Sequence, residues 1–353
     1  MMQNLVLTLG VDDPGRALGA VATGGVPNPA GGYLLRKGQH LGPADVDALA
    51  ALGRTAPGTQ VSLLLLDPED LDEGEAAALL GPALAGPGVV VQPPSQGRTR
   101  LAAAHNGLLR LDRAKLAAAN RVPDVAIYTL FDGTPVAAGT LLAEAKITPL
   151  AAPRALVQQA LAILAGRAAN LDADVPSAVL EVLPFQPREA ALLVRERLAP
   201  AAVERMVAVL QKKLAWLGSR LDPARVVETG GDRAEVARQM TALLAGGADL
   251  LLTGGGSASN PADPILSALP DIGATLLRRG LPVHPGSLLW IARRDETWIL
   301  GVPSCGAFSE ATALDLLLPR LLAQGAAALT DLDQLAEGGL LTRGMEHRFP
   351  PYG

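Results

Sequence analysis

Between residues 249 and 257 a short apolar segment runs directly into a glycine-rich turn. Leu250-Leu251-Leu252 is followed by Thr253-Gly254-Gly255-Gly256-Ser257. A buried strand that ends in such a turn leaves backbone N–H groups free at the carboxyl edge of a sheet. Open α/β sheets bind ligands at that edge, and bare amides hold a phosphate there with no side chain in the way. The segment therefore predicts an α/β fold and a phosphorylated small-molecule ligand.

The composition limits which kinds of core and which classes of binding partner are possible. Hydrophobic residues make up 49% of the 353 residues and aromatic residues only 3%, so the core must be built from Ala, Leu and Val. The net charge is −5 and basic residues form no block, which argues against a nucleic-acid partner. No apolar run approaches the roughly 18 residues that a membrane span needs. No basic, apolar leader pattern begins the chain.

The single cysteine, Cys305, excludes an intramolecular disulfide and fits a reducing compartment. We expect a cytoplasmic protein that contacts no membrane.

The C-terminal half alternates between strand and helix patterns. We expect strands at 190–194, 226–227 and 250–252, a strand pair at 287–291 and 297–302, and a last helix over 308–322. Strand–helix alternation is typical of a parallel sheet with helices on both faces. The prediction is a three-layer α/β/α domain over 188–330 with a mainly parallel sheet.

The N-terminal half, residues 1–169, predicts an α+β region. Its short alternating segments and close turns indicate a small β-rich module at about 107–150. The proline-containing segment 170–187 is interpreted as a linker, and 331–353 as a C-terminal tail.

Three features of the glycine turn and its surroundings each have a structural and a functional interpretation. The glycines serve backbone dihedrals alone or bind a phosphate. Asp263 caps the next helix or holds a divalent cation against the phosphate. Cys305, within a second turn at 301–306, is a reactive thiol near a helix start or a small apolar residue.

Four segments occur in a fixed order in the C-terminal half. They are Thr253-Gly254-Gly255-Gly256-Ser257 with Asp263, then Pro285-Gly286, then Gly301-Val302-Pro303, and an apolar helix that reaches Pro319. This order and spacing resemble the molybdopterin-binding domain. Molybdopterin adenylyltransferases, molybdopterin molybdenumtransferases and competence/damage-type proteins share that domain. The resemblance covers roughly residues 188–325.

The N-terminal half resembles one branch of that group, the molybdopterin-binding proteins of molybdenum hydroxylase maturation. Their homologous region also occurs fused ahead of a molybdenum cofactor cytidylyltransferase domain, which this sequence lacks. The matching segments are Arg36-Lys37-Gly38 with Leu41, residues 106–112, Asn120, and residues 135–139 leading to 146–149.

The resemblance implies a ligand and a set of site residues. The ligand is molybdopterin or the molybdenum cofactor, bound through its phosphate either free or as a nucleotide adduct. Gly254 to Ser257 would bind the phosphate, preceded by Thr253, with Asp263 beside it, directly or through Mg²⁺, as the catalytic and metal-binding carboxylate. Pro303, Ser304, Cys305 and Gly306 would form the opposite wall, with Pro285 and Gly286 nearby. Partners would be a molybdenum hydroxylase or a cytidylyltransferase, and the chain would form a homo-oligomer.

The sequence also departs from the molybdenumtransferase pattern. His284-Pro285-Gly286-Ser287 replaces a Lys-Pro-Gly-Lys-like turn, and Ser304-Cys305-Gly306 replaces a Gly-Asn-Pro turn. The missing lysines remove cations for molybdate or an adenylate, which favours binding and hand-over of the cofactor to a hydroxylase. Three alternatives stay open: a molybdenumtransferase-like enzyme, a competence/damage-type enzyme acting on pyridine nucleotides or ADP-ribose, and a scaffold with a vestigial pocket.

Overall fold

A computed structural model describes residues 2–166, 178–195, 198–255, 259–260, 262–308, 311–342 and 344–352. The chain forms two compact units. Unit 1 comprises residues 1–102, 111–130 and 141–181, and unit 2 comprises residues 103–110, 131–140 and 182–353. Each unit is therefore discontinuous in sequence.

The strands in chain order are β1 Gln3–Thr8, β2 Val21–Ala22, β3 Val26–Pro27, β4 Tyr33–Leu35, β5 Gln60–Leu65, β6 Asp70–Asp72, β7 Val89–Val91, β8 Arg98–Ala103, β9 Gly107–Leu111, β10 Val125–Thr129, β11 Pro135–Val136, β12 Leu141–Ile147, β13 Ala151–Pro153, β14 Leu180–Pro184, β15 Glu189–Val194, β16 Arg220–Glu228, β17 Leu250–Gly254, β18 Thr275–Arg279, β19 Trp290–Arg294 and β20 Thr297–Val302.

The α-helices are α1 Pro43–Thr55, α2 Glu73–Leu84, α3 Arg113–Ala119, α4 Arg154–Leu164, α5 Pro200–Trp216, α6 Arg233–Ala245, α7 Pro264–Ala268, α8 Ser304–Phe308 and α9 Ala313–Gln324. Short 3-10 helices cover Pro14–Ala17, Pro270–Ile272, Gly325–Leu329, Leu332–Ala336 and Glu346–Arg348. None of the described helices is long and apolar enough to cross a membrane.

Unit 1 is α+β, as the sequence predicts for the N-terminal half. β1 pairs antiparallel with β5, and α1 adds Leu49 and Leu52 to the core of that sheet. A second sheet has the order β10-β12-β8-β7. One of its faces packs on α2, where the buried Thr99 hydroxyl donates to the Ala77 carbonyl oxygen at 2.6 Å.

The other face of this second sheet has a charged cluster around Glu144, which is buried. Its carboxylate accepts hydrogen bonds from Arg100 Nε at 2.8 Å, Tyr128 Oη at 2.8 Å and Arg98 Nη1 at 3.3 Å. In-register pairing of Tyr128, Glu144 and Arg100 on three adjacent strands places these groups in one row. The Arg100 guanidinium, then Tyr128 and Arg98, lower the pKa of Glu144 below its ordinary value of 4.5.

Unit 2 contains a six-stranded mixed sheet with the order β16-β15-β17-β20-β19-β18. β15 runs parallel to β16 and β17, and β17 runs parallel to β20. β19 and β18 are antiparallel to their neighbours. Four of the six strands are therefore parallel. The expected strand pair is the antiparallel pair β19–β20, with its first strand at 290–294, and β18 forms the edge beyond it.

Helices cover both faces of this sheet. Ala190, Leu192 and Val194 face a core shared with α5 and α9. The alternate residues Ala191 and Leu193 face a second core shared with α6 and α7. Alternation of side chains along a fully buried strand explains why every residue of 190–194 is apolar. Helices on both faces of a mixed six-stranded sheet agree with the α/β class predicted for the C-terminal half.

The last helix differs from the prediction over 308–322. It is two helices, α8 and α9. The second begins anew because Thr312 accepts from Leu314 N, and Asp315 accepts in return from Thr312 N at 2.9 Å. Such a capping box fixes a helix start, and the hydrophobic periodicity used for the prediction does not reveal it.

Two other predicted segments contain regular structure. In the expected linker, 180–184 form β14, whereas 170–177 lie outside the described residues. In the expected β-rich module, α3 interrupts the strands, and Asp112 caps it through Lys115 N at 2.9 Å. The domain boundaries expected from the sequence stay a prediction.

The C-terminal residues fold back onto unit 2. Leu341 N donates to His284 O at 2.8 Å, and Phe349 is buried in the core shared with α5 and α9. Tyr352 Oη donates to Asp315 Oδ1 at 2.7 Å. The described part of the tail is thus an integral part of unit 2.

The lowered pKa of Glu144 predicts how the stability of unit 1 depends on pH. Because unfolded Glu144 takes up its proton at a higher pH than folded Glu144, its stabilising contribution is present above about pH 4.5 and lost as the pH falls through the folded value. We expect Glu144→Gln to lower the unfolding free energy by about 1–2 kcal/mol at neutral pH. The difference from the wild type should shrink in acid.

The measurement is denaturant unfolding across this pH range. Glu69→Gln is the matched control, because it is the same substitution at an exposed glutamate of unit 1. A difference in unfolding free energy between the wild type and Glu144→Gln that stays constant down to acid pH would contradict the stabilising role of ionised Glu144.

Candidate functional site at the carboxyl edge of the six-stranded sheet

Three parallel strands of unit 2 end side by side. Val194 of β15 pairs with Gly254 of β17, and Gly254 pairs with Val302 of β20. The segments that follow these strands therefore start at the same level, at the edge where open α/β sheets bind ligands. The glycine turn and the Pro303 turn are neighbours there, as the sequence predicts.

The glycine turn requires glycine at one described position. Gly255 has φ +78°, a left-handed conformation that glycine adopts without strain. Thr253 is 1% exposed, and its hydroxyl lies 3.4 Å from the Leu300 carbonyl oxygen. Its side chain thus belongs to the sheet interior. Gly256 and Ser257 lie outside the described residues.

Asp263 is 4% exposed and caps α7. Its Oδ1 accepts from Ile265 N at 2.9 Å, and its Oδ2 lies 3.9 Å from Arg195 Nη1. The capping interpretation is therefore observed, and the metal-binding and catalytic roles stay predictions. Within the described ranges, no group of three or more His, Cys, Asp or Glu side chains is placed to hold a metal ion.

Arg195 is a further residue at this edge, and the sequence analysis missed it. It directly follows β15, and its N–H donates to Gly254 O at 2.9 Å. The side chain is 28% exposed, and its buried Nε has no hydrogen-bond partner among the described residues. Its position immediately after the apolar run 190–194 was the available signal, since residues that follow parallel strands share one edge.

The second turn, at 301–306, leads from the end of β20 into the short helix α8. Ser304 is exposed, Cys305 is a half-buried free thiol, and Gly306 is buried. Pro303 O accepts from Gly306 N at 2.8 Å, which closes the first turn of α8. The structure brings Ser304, Cys305 and Gly306 into the short helix α8, and their role as a wall of the ligand site stays a prediction.

Pro285 and Gly286 lie against the start of α9. Ala313 N donates to Pro285 O at 3.0 Å. Gly286 has φ +110°, and a Cβ there would approach Ala313 N to 2.8 Å. These contacts show why glycine is needed at this position for packing, and a role for Pro285 and Gly286 in ligand binding stays a prediction.

A buried ion pair between Lys213 and Asp315 contacts the second turn through the Gly306 carbonyl oxygen. Lys213 Nζ lies 2.8 Å from Asp315 Oδ1 and 2.9 Å from its Oδ2, with the side chains 1% and 0% exposed. Lys213 also donates to Gly306 O at 3.2 Å, and Asp315 accepts from Thr312 and Tyr352. Burial is the main effect on the Asp315 carboxyl and raises its pKa, against the opposing effect of Lys213.

Loss of the lysine should destabilise unit 2 strongly. Lys213→Met leaves Asp315 as a buried charge without its cation, and we expect a loss of about 3–5 kcal/mol in unfolding free energy. The double variant Lys213→Met/Asp315→Asn removes both charges and keeps an oxygen acceptor for Thr312, so it should recover part of that loss. Denaturant unfolding of the three proteins measures this. A single variant within about 1 kcal/mol of the wild type would show that the pair is not a main stabilising element.

No family model matches the chain, and no curated protein matches it. Among solved structures, the molybdopterin biosynthesis MoeA protein from Pyrococcus horikosii is 13% identical, with 75% of each chain covered and a TM-score of 0.27.

A structure described as an anomalous substructure of MogA is 19% identical, covering 42% of this chain and 98% of the other, with a TM-score of 0.25. A NadC deletion mutant is 13% identical, covering 50% of this chain and 69% of the other, with a TM-score of 0.16. TM-scores this low carry no argument about fold or function. The fold stands on the strand order and core described above.

Proposed function

We propose that this chain binds molybdopterin, or its nucleotide or molybdenum form, and hands it over to a molybdenum hydroxylase during molybdenum cofactor biosynthesis. The observation that carries the proposal is the edge where β15, β17 and β20 end in register, with Gly255, Asp263 and the Pro303 turn following them. The same segments, in the same order, carry the sequence resemblance to the molybdopterin-binding domain.

The phosphate end of the pterin would lie at the glycine turn. An oxyanion is stabilised by backbone N–H groups that point to it without intervening side chains. Gly254, Gly255, Gly256 and Ser257 would supply them, and Asp263 would take Mg²⁺ where the ligand brings it. Ser304 and Cys305 would form the opposite wall.

The basic residues favour binding over molybdenum insertion. Beyond residue 188 the sequence has two lysines, Lys212 and Lys213. Lys213 is buried against Asp315, and the neighbouring Lys212 is exposed. Neither takes the place of the lysines in the molybdenumtransferase pattern. Any catalysis would be electrostatic, through backbone amides and a carboxylate-bound cation acting on a phosphate or anhydride.

Partners follow from the same proposal. A carrier of a reactive pterin must release it to an apoenzyme or a nucleotidyltransferase, so we propose a molybdenum hydroxylase or a cytidylyltransferase as the recipient. We further propose that the protein acts as a homo-oligomer in the cytoplasm.

Calorimetric titration with molybdopterin, with and without Mg²⁺, tests the proposal. The wild type should bind, and Gly255→Val should weaken binding at least tenfold, about 1.4 kcal/mol, because a branched side chain at this φ distorts the turn. Asp263→Asn keeps the oxygen that caps α7 and removes the charge. It should weaken binding in Mg²⁺ while leaving the fold intact.

Gly273→Val is the matched control, since Gly273 has a similar φ of +72° with open space around it and lies away from the turn, after the 3-10 helix Pro270–Ile272. Equal losses of molybdopterin affinity in Gly255→Val and Gly273→Val would mean that backbone strain anywhere in the domain weakens binding, and that the glycine turn has no special role. Release of AMP from adenylated molybdopterin only when molybdate is present would assign the transferase activity instead.

A further inference from the structure

We propose that Arg195 is the cation that binds the ligand's phosphate at this edge, making the site selective for a phosphate monoester dianion. The inference rests on the proposed function and specifies it, since it names which group of the pterin the protein recognises by charge. It concerns a residue outside the motifs that carry the sequence resemblance.

The backbone places Arg195 beside the glycine turn. Its N–H continues the β15–β17 hydrogen bonding by one residue, donating to Gly254 O at 2.9 Å. On the other side of β15, Thr229 N donates to Val194 O at 2.9 Å. Arg195 is therefore fixed between the ends of two neighbouring strands, next to the turn in which Gly255 has a positive φ.

The Arg195 guanidinium differs from two similarly buried guanidinium groups in its contact with a carboxylate. The described residues include three arginines whose buried Nε has no hydrogen-bond partner, Arg188, Arg195 and Arg293. Arg188 and Arg293 each hold a carboxylate through another nitrogen, at 3.3 Å from Asp249 and 2.7 Å from Glu296. Arg195 approaches Asp263 only to 3.9 Å.

At 3.9 Å, Arg195 Nη1 and Asp263 Oδ2 attract each other without a hydrogen bond. The other oxygen of Asp263 is committed to Ile265 N at 2.9 Å. Asp263 thus orients the Arg195 guanidinium electrostatically. The N–H groups of Arg195 can still donate hydrogen bonds to a ligand oxygen. A planar guanidinium presents parallel N–H groups that match two oxygens of a phosphate.

Burial and exposure together suit ligand binding. The side chain is 28% exposed, so an anion from solvent can reach it, while its Nε is fully covered. The covered Nε cannot meet an anion from solvent, so an oxyanion at the edge would pair with the terminal nitrogens of the guanidinium. Gly255, next to Arg195 at this edge, carries no side chain that would compete for the place.

The test compares Arg195→Gln and Arg195→Lys with the wild type and with Arg225→Gln. Arg225 is the matched control because it lies on β16, is 25% exposed, and pairs with Glu189 at the amino end of β15. Three probes are titrated: molybdopterin, the same pterin after enzymatic removal of its phosphate, and inorganic phosphate. Circular dichroism and thermal unfolding verify the fold of each variant.

We expect Arg195→Gln to lose at least tenfold in affinity for molybdopterin and to lose its response to inorganic phosphate. Its affinity for the dephosphorylated pterin should equal that of the wild type. The molybdopterin affinity of Arg195→Lys should lie between those of the wild type and Arg195→Gln, because lysine keeps the charge and lacks the paired N–H groups. Arg225→Gln should bind all three probes like the wild type.

Two failures are distinguishable. Unchanged molybdopterin affinity in both Arg195 variants would overturn the role of Arg195 and leave the proposed function standing. If the wild type binds inorganic phosphate through Arg195 but no pterin, the phosphate site stands and the proposed function fails. Binding of neither probe by the folded wild type would overturn both.

Discussion

The buried ion pair between Lys213 and Asp315 is the interaction on which the arrangement of unit 2 depends. It joins α5 to α9, and through the Gly306 carbonyl it also holds α8. Desolvating two charges is costly, and the attraction compensates only when geometry and additional hydrogen bonds are good. Thr312 and Tyr352 supply those bonds to Asp315. The pair therefore forms only when both helices and the C-terminal residues are in place.

This constraint links the core to the candidate site. α8 is a single short helix that follows β20, and a helix of this length has little stability of its own. Its Gly306 carbonyl accepts a hydrogen bond from Lys213, and the start of α9 is fixed by the capping box and by a hydrogen bond to Pro285 O. The helix that contains Ser304 and Cys305 is thus positioned by buried contacts in the core of unit 2.

Local sequence patterns predicted several strands of the six-stranded sheet, because apolar runs are local signals. The strands expected at 190–194 and 250–252 lie within β15 and β17. The meeting of Gly254 with Val302 at one edge also followed, since parallel strands align their carboxyl ends. What failed was long-range: Lys213 and Asp315 are 102 residues apart in sequence, and no periodicity connects them.

The candidate site shows the same division. Asp263 was identified from its place after the glycine turn, yet its observed contact is a helix cap, and only coordinates distinguish the two roles. Thr253 was grouped with the turn although its position in β17 directs it into the sheet. Arg195 was missed because it belongs to no motif, and its significance arises only when β15 is found next to β17.

The distribution of basic groups separates structural from ligand-binding roles at this edge. Lys213 is committed to the core, where its charge is neutralised by Asp315. Arg195 stays partly exposed and keeps donors available. A guanidinium remains protonated at physiological pH and offers a rigid fork of donors, so it binds an oxyanion well and transfers no proton. An edge that combines backbone amides with such a group therefore fits the phosphate ligand that we propose.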